Sequence, residues 1–130
     1  AVQTLTERFA LQTQVKVNVS WQGDGTNLSS EQQLQFIFIL QESLSNIRKH
    51  AQAQKVDIRF DNQQDFVMTI EDDGKGFDVN HIQNLSGSHV GLGIMKERAL
   101  RIHAHLALDS QLGKYTRISL TLPQEERIML

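Results

Sequence analysis

The spacing of apolar residues in the first half of the chain predicts a helix, a strand and a longer second helix. Residues 2–14 carry an apolar side chain at about every third or fourth position, as in a helix packed on one face. Residues 15–20 alternate valine with polar residues, which is typical of a half-buried strand. Overlapping capping boxes at Ser29 and Ser30 then begin a second helix that should end near His50. Its predicted buried stripe consists of Leu34, Ile37, Phe38, Leu40, Leu44 and Ile47.

The second half predicts four strands, one more helix and a long polar segment. Lys55–Phe60 and Phe66–Glu71 alternate in polarity and flank a short polar turn, so they indicate a hairpin. Asp78–Val90 has little periodic apolar content and is interpreted as a mobile loop or lid. A third helix follows it, and residues 106–108 and 117–122 form the last two predicted strands. The tail Gln124–Arg127 is predicted to fray.

The order of these elements predicts the α+β class. Helix, strand, helix, two strands, loop, helix and two strands fit a two-layer sandwich, in which about three helices cover one face of a mixed sheet. A length of 130 residues favours one domain spanning residues 1–130. The chain begins in the middle of an amphipathic pattern and without an initiator methionine, so it is interpreted as a fragment of a larger protein.

Composition narrows the range of partners. Hydrophobic residues make up 39% and charged residues 22% of the chain, as in an ordinary soluble domain. A net charge of −2 gives no electrostatic footprint for nucleic acid. The apolar runs are too short to span a bilayer, so no direct membrane contact is expected. The absence of cysteine excludes disulfides and thiolate metal sites. The isolated domain is expected to be a monomer.

A polar row on the second helix is the first candidate for chemistry. Glu42, Asn46 and His50 follow one another at four-residue steps, and Lys49 lies beside them, so they should share one helix face. Carboxylate and amide oxygens suit Mg²⁺, which prefers to bridge to substrate phosphates. A solvated helix face without a ligand is the alternative interpretation.

Two glycine-containing segments are the other candidates. The predicted hairpin ends in Asp72–Phe77, where Gly74 and Gly76 permit a close backbone approach to a ligand, although a plain turn has the same composition. Gly91 and Gly93 open the third helix, where free backbone N–H groups favour phosphate, although a loop-closing turn is an equal alternative. The order of these features along the chain indicates a nucleotide site.

The order of the polar helix row and the two glycine-containing segments resembles that in the ATP-binding catalytic domain of sensor histidine kinases. This domain belongs to the GHKL superfamily, which also includes DNA gyrase. Gln41–Ala51 resembles the N box of this family, Asp72–Phe77 its G1 box and Gly91–Ile94 its G2 box. The resemblance covers nearly the whole chain and implies the Bergerat ATP-binding fold. Glu42 and the ending of the N box are similar to the subgroup that includes the nitrate/nitrite sensors.

The resemblance implies a role for residues at the adenine end of the site. Asp72 matches the acid that accepts a hydrogen bond from the adenine amino group, and Gly74 and Gly76 match the glycines that shape the turn against the base. Thr116 resembles a threonine near the adenine on a late strand. Asp73 stands where asparagine is common, so the sequence leaves open whether Asp72 alone binds the base.

The resemblance also implies roles at the phosphate end. Asn46 matches the Mg²⁺ ligand, Glu42 the position that polarises the acceptor histidine or a metal-bound water, and Lys49 and His50 match phosphate-side positions. The remaining residues implied to contact nucleotide are Phe77, Gly91, Leu92, Gly93 and Ile94.

The expected function is therefore to bind Mg-ATP and to transfer its γ-phosphoryl group to a histidine on a separate dimerisation and phosphoacceptor domain. A response regulator with a helix-turn-helix output domain is the expected next partner. The chain would be the cytoplasmic domain of an inner-membrane sensor and inactive in autophosphorylation alone. A stand-alone anti-sigma-type serine kinase that binds a protein partner is the alternative.

Overall fold

A five-stranded sheet with helices packed on one face builds the protein. The computed structural model describes residues 2–23, 28–78 and 90–127, so most of the predicted loop Asp78–Val90 lies outside the described residues. The helices are α1 (Val2–Thr13), α2 (Ser30–Asn46), α3 (Val90–Arg101) and α4 (Gln124–Arg127). A π-helical segment, Ile47–Ala51, continues α2. The strands are β1 (Lys16–Gln22), β2 (Lys55–Asn62), β3 (Phe66–Asp72), β4 (His105–Gln111) and β5 (Tyr115–Leu122).

The strand order is β1-β2-β3-β5-β4, with β1 parallel to β2 and every other pair antiparallel. The predicted mixed sheet and α+β class are therefore confirmed. The register places Asp72 of β3 opposite Thr116 of β5, and Thr116 opposite Ser110 of β4. Because directly paired residues point to the same face of a sheet, these three side chains form one row.

The core lies between the sheet and the helices, and it corrects the predicted stripe of α2. Leu40, Leu44 and Ile47 are buried as predicted, but Leu34 is 56% exposed, while Phe36 and Ile39 are buried instead. Successive helical residues are rotated by about 100° around the helix axis, so the side chains at positions i and i+2, such as Leu34 and Phe36, point to nearly opposite sides of the helix. The burial of Phe36 therefore turns Leu34 towards solvent.

The structure offers no candidate for a membrane span: no helix in the three described ranges is long and apolar enough.

The prediction of a frayed tail was wrong. Gln124–Arg127 forms the short helix α4, and its last residue is only 3% exposed. The Arg127 guanidinium donates to the carbonyls of Gln63 and Gln64, at 3.0 and 3.3 Å, and to Oδ1 of Asn62 at 2.6 Å. These acceptors lie at the end of β2 and in the β2–β3 turn, so the arginine fixes α4 to that turn.

Replacing this arginine should destabilise the fold. Arg127→Met keeps most of the apolar stem but leaves three partly buried hydrogen-bond acceptors without their donor, so we expect the free energy of unfolding to fall by about 1–2 kcal/mol. Denaturation in urea measures the change. Arg8→Met, at an exposed position of α1, is the matched control and should leave the midpoint nearly unchanged. Equal midpoints for the two variants would contradict a structural role for α4.

Candidate functional site

A cavity of about 230 Å³ lies between the end of α2 and the β3–β5–β4 part of the sheet. Its floor contains two neighbouring cross-strand rows. Ile70, Ile118 and Leu108 form the first, apolar row, since Ile118 is paired with both of the others. Asp72 and Thr116 form the second, polar row. Sites for whole drug-sized ligands enclose about 300–1,000 Å³, so this cavity fits one flat, largely apolar end of a ligand whose edge is polar.

Asp72 is the buried charged group of the cavity. Its side chain ends β3, and the residue is only 3% exposed. Burial raises the pKa of the Asp72 carboxyl above its usual value, the hydrogen bond from Gly74 lowers it, and the nearby carboxylates of Asp73 and Glu71 raise it further. The Gly74 N–H donates to Oδ1 at 2.8 Å. The second oxygen, Oδ2, is therefore the atom that a ligand can use.

The neighbouring Asp73 carboxylate binds backbone N–H groups and does not line the cavity. Asp73 is exposed, and its Oδ1 accepts hydrogen bonds from the backbone N–H groups of Gln54 and Lys55, at 2.8 and 3.0 Å. The bond from Lys55 and, to a lesser degree, that from Gln54 hold the pKa of the Asp73 carboxyl below its usual value. Asp73 thus fixes the start of β2, and the geometry assigns the cavity carboxylate to Asp72 alone.

Gly76 allows the loop after β3 to lie against the β4–β5 turn. Its φ of +59° is in the left-handed region. A Cβ at this position would lie 2.1 Å from the carbonyl oxygen of Gln111 and 2.8 Å from that of Tyr115. One residue earlier, the Lys75 carbonyl accepts a 2.6 Å hydrogen bond from the Gly113 N–H. No other residue type fits at Gly76 without moving this loop, whose Lys75, Gly76 and Phe77 line the cavity.

The helix side of the cavity comes from the N-box residues. A stripe at spacings of three, one and three residues faces the cavity: Ser43, Asn46, Ile47 and His50. Glu42 is half-buried and Lys49 is exposed, and neither is among the described residues that line the wall. The Asn46 side chain makes no hydrogen bond within the described ranges, so its amide is free for a ligand. The polar row is therefore only partly brought together, by Asn46 and His50.

The start of α3 closes the cavity on a third side. All four predicted G2 residues lie in the first two turns of this helix, which begins at Val90. Leu92 is buried and lines the cavity, whereas Gly93 and Ile94 are exposed. Gly74 does not line the cavity but supplies the N–H group that holds Asp72. The individual roles of these residues stay predictions.

Sequence reasoning missed several residues that line the cavity. Ile70, Leu108 and Ile118 were expected only as alternating strand residues, and Ser43 and Lys75 were not singled out. The alternation of their strands did contain a signal, since it places each of the three apolar residues on the buried face. Only the strand pairing brings them to one cavity.

The chain is similar to known proteins in sequence and in structure. The family model described as "Histidine kinase-, DNA gyrase B-, and HSP90-like ATPase" matches residues 31–126. The chain is 26% identical over 119 residues to the signal transduction histidine-protein kinase/phosphatase DegS of Bacillus subtilis, covering 91% of this chain and 31% of that protein. It is 32% identical over 129 residues to the histidine-protein kinase/phosphatase UhpB of Salmonella typhimurium, covering 95% and 24%. The chain thus spans a third or less of these relatives.

Solved structures share the fold at low sequence identity. The Erythrobacter litoralis EL346 blue-light activated histidine kinase superposes with a TM-score of 0.77 at 19% identity, over 99% of this chain and 42% of that chain. The Acinetobacter baumannii histidine kinase AdeS superposes with a TM-score of 0.75 at 15% identity, over 95% and 62%. At these identities the likeness shows the fold alone.

Proposed function

The chain belongs to the family of histidine kinase-, DNA gyrase B-, and HSP90-like ATPases, and we propose that it is the ATP-binding catalytic domain of a two-component sensor histidine kinase. It binds Mg-ATP and passes the γ-phosphoryl group to a histidine on a separate dimerisation and phosphoacceptor domain. The observation that carries this proposal is the buried Asp72 carboxylate at the end of an apolar floor, with Asn46 and His50 on the wall above it. The relatives named as histidine kinases support it.

The base of the nucleotide lies on the apolar row of the floor. Oδ2 of Asp72 accepts a hydrogen bond from the exocyclic amino group of adenine, while Oδ1 stays bonded to Gly74. A buried, ionised acceptor makes a strong hydrogen bond to such a donor because little water competes for it. The same burial disfavours the charged form of the Asp72 carboxyl and so raises its pKa.

The phosphates extend from the base towards α2 and the start of α3. Mg²⁺ keeps several waters and takes one or two protein oxygens together with substrate phosphates, and the unbonded amide of Asn46 fits that requirement. His50 lies one helical turn further along the same wall. The backbone N–H group of Gly91, in the first turn of α3, favours the negative charge of the phosphates. When bound, Mg²⁺ neutralises charge on these phosphates.

Phosphoryl transfer requires mainly positioning and charge neutralisation from the protein. The cavity fixes the base, and the helix wall fixes the phosphates relative to it. Glu42 lies beside that wall and not in it. We therefore assign Glu42 to the acceptor histidine, which the phosphoacceptor domain brings to the outer side of the site.

The full protein is proposed to be a sensor of the nitrate/nitrite-sensor-like subgroup, with this domain on the cytoplasmic side where ATP is supplied. The phosphoryl group then passes to a response regulator with a helix-turn-helix output domain. The ending of the N box supports this subgroup. Lys49 is exposed at that ending and is proposed to reach the phosphates only when nucleotide is bound.

Incubation with γ-labelled ATP tests the proposed reaction. The isolated chain should incorporate almost no label, and addition of a histidine-containing phosphoacceptor domain should produce a phosphoprotein that is labile in acid and stable in base. Acid-stable phosphoserine on a partner protein would instead indicate the anti-sigma-type alternative. Binding of ATP by the isolated chain is the first requirement, and calorimetry measures it directly.

Asn46→Ala should remove the dependence of ATP binding on Mg²⁺. The parent chain should bind ATP more tightly with Mg²⁺ than with a chelator, because the Asn46 amide would help to hold the metal beside the phosphates. In the variant the two dissociation constants should become nearly equal. Gln41→Ala, which removes an exposed amide from the same helix, is the matched control and should keep the parental difference. A variant at Asn46 that keeps the full Mg²⁺ effect would place the metal elsewhere.

A further inference from the structure

Ser110 is the third member of the polar row of the floor, and it lies next to Thr116 but outside the lining of the cavity. The register pairs Thr116 with Asp72 on one side and with Ser110 on the other, and Thr116 lines the cavity. Three polar groups surround the Ser110 hydroxyl. The hydroxyl oxygen accepts from the Phe77 N–H at 2.9 Å, the O–H donates to the Tyr115 carbonyl at 2.8 Å, and Oγ lies 2.9 Å from Oγ1 of Thr116.

The hydrogen inventory of these groups fixes the direction of the third bond. A serine hydroxyl has one hydrogen and two lone pairs. A carbonyl can only accept, so the single hydrogen of Ser110 is used on Tyr115. A backbone N–H can only donate, so Phe77 occupies one lone pair. The group that faces Thr116 is then the second lone pair, and the hydrogen of this bond must come from the Thr116 hydroxyl.

We propose that Ser110 is a positioning residue of the nucleotide site, which holds the Thr116 hydroxyl hydrogen away from the cavity so that Thr116 presents only lone pairs beside Asp72. The inference rests on the proposed function, in which an adenine nucleotide occupies this cavity. Ser110 touches no ligand and acts through Thr116. The serine also links β4 to Phe77 of the loop after β3 and to Tyr115 at the start of β5.

The consequence is a pair of acceptors at the polar edge of the floor. Asp72 uses Oδ1 on Gly74 and offers Oδ2, while Thr116 offers lone pairs. The Cβ atoms of two directly paired strand residues are about 5 Å apart. An amino group, which has two hydrogens on one nitrogen, suits such a pair. A carbonyl oxygen in the same place meets lone pairs on both sides, and this mismatch excludes it more strongly than a missing contact would.

Loss of Ser110 should weaken this selection. With alanine at position 110, the Thr116 hydroxyl can rotate and donate into the cavity, so it can pair with a carbonyl. The probes are ATP and inosine triphosphate, in which a carbonyl replaces the amino group and N1 carries a hydrogen. Because the N1 difference is the same in parent and variant, the change in the ratio of affinities is what reports on Thr116. Calorimetry gives the ratio of their dissociation constants. We expect Ser110→Ala to reduce the parental preference for ATP by about tenfold, and Ser110→Thr, which keeps the hydroxyl, to preserve it.

A double-mutant cycle separates positioning from a general structural role. In a Thr116→Val background, Ser110→Ala should leave the preference unchanged, because the hydroxyl through which it acts is absent. Equal weakening of both nucleotides by Ser110→Ala, with the preference intact, would overturn the proposal. So would the same loss of preference in the Thr116→Val background.

Nuclear magnetic resonance of the ligand-free chain tests the hydrogen bond without a substitution. A slowly exchanging Thr116 hydroxyl proton close to the Ser110 side chain is the expected result, and a rapidly exchanging one would overturn the proposal even if Ser110→Ala failed to fold. A parent chain that bound neither nucleotide would overturn the proposed function. The spectrum would then still decide whether Ser110 orients Thr116.

Discussion

Gly76→Ala is expected to lower the free energy of unfolding by about 3 kcal/mol or more, and to weaken nucleotide binding in the protein that remains folded. A left-handed conformation costs a residue with a Cβ about 1–2 kcal/mol. The added Cβ would also lie 2.1 Å from the Gln111 carbonyl oxygen, so the loop after β3 must move away from the β4–β5 turn. That movement breaks the bond between Gly113 and Lys75 and displaces the cavity wall. Thermal denaturation and calorimetry measure the two effects.

Gly113→Ala is the matched control for this prediction. Gly113 also has a positive φ, +80°, but nothing lies within 4 Å of a Cβ added there. It should therefore show the conformational cost of about 1–2 kcal/mol without the collision, and nucleotide affinity should stay near the parental value. If the two alanine variants lost the same stability and bound ATP equally well, the close contact at Gly76 would not shape the site.

Local pattern was sufficient to predict the elements that frame the site. The alternation of polar and apolar residues predicted the β2–β3 hairpin. Successive side chains of a strand point to opposite faces of the sheet, so apolar residues on the buried face alternate with polar residues on the exposed face. The capping box at Ser29 is formed, with the Ser29 hydroxyl and the Gln32 side chain each accepting the other residue's backbone N–H. Such signals lie within a few residues of one another, so no knowledge of the rest of the fold is needed.

Long-range placement was not available from the pattern. Asp72 and Thr116 lie side by side only because β5 pairs with β3 in one register, and a shift by one residue would turn the threonine to the other face. The orientation of the Asp73 side chain depends on the start of β2, where two backbone N–H groups donate hydrogen bonds to its carboxylate. Arg127 is buried because the β2–β3 turn presents carbonyls to it, and a tail of four polar residues contains no sign of that.

Asp72→Asn is expected to weaken ATP binding by about 1–3 kcal/mol, which is a factor of roughly 5 to 150. The substitution preserves size, and the asparagine oxygen can still accept the Gly74 N–H. The nitrogen then occupies the place of Oδ2 and directs its own hydrogens at the adenine amino group. A charge-assisted hydrogen bond is thereby replaced by two donors that face each other. Calorimetric titration with ATP measures the loss.

Asp73→Asn is the control, because that carboxylate is bonded to Gln54 and Lys55 and lies outside the cavity wall. It should bind ATP like the parent chain. Parental affinity in Asp72→Asn, or an equal loss in both variants, would show that neither carboxylate is the specific partner of the base.

Asp72→Asn, which should weaken ATP binding, should not lower the stability of the ligand-free chain. Because the pKa of Asp72 is raised on folding, the folded state binds more protons than the unfolded state between the ordinary and the raised pKa. The contribution of Asp72 to stability is therefore fully present below the ordinary pKa and is lost as the pH rises through the raised one. Asparagine does not titrate, so Asp72→Asn should abolish this fall, and the variant should be at least as stable as the parent at neutral pH. A variant that bound ATP weakly but unfolded more easily would instead point to damage of the fold, since the raised pKa of Asp72 means that the folded surroundings disfavour its charge on balance.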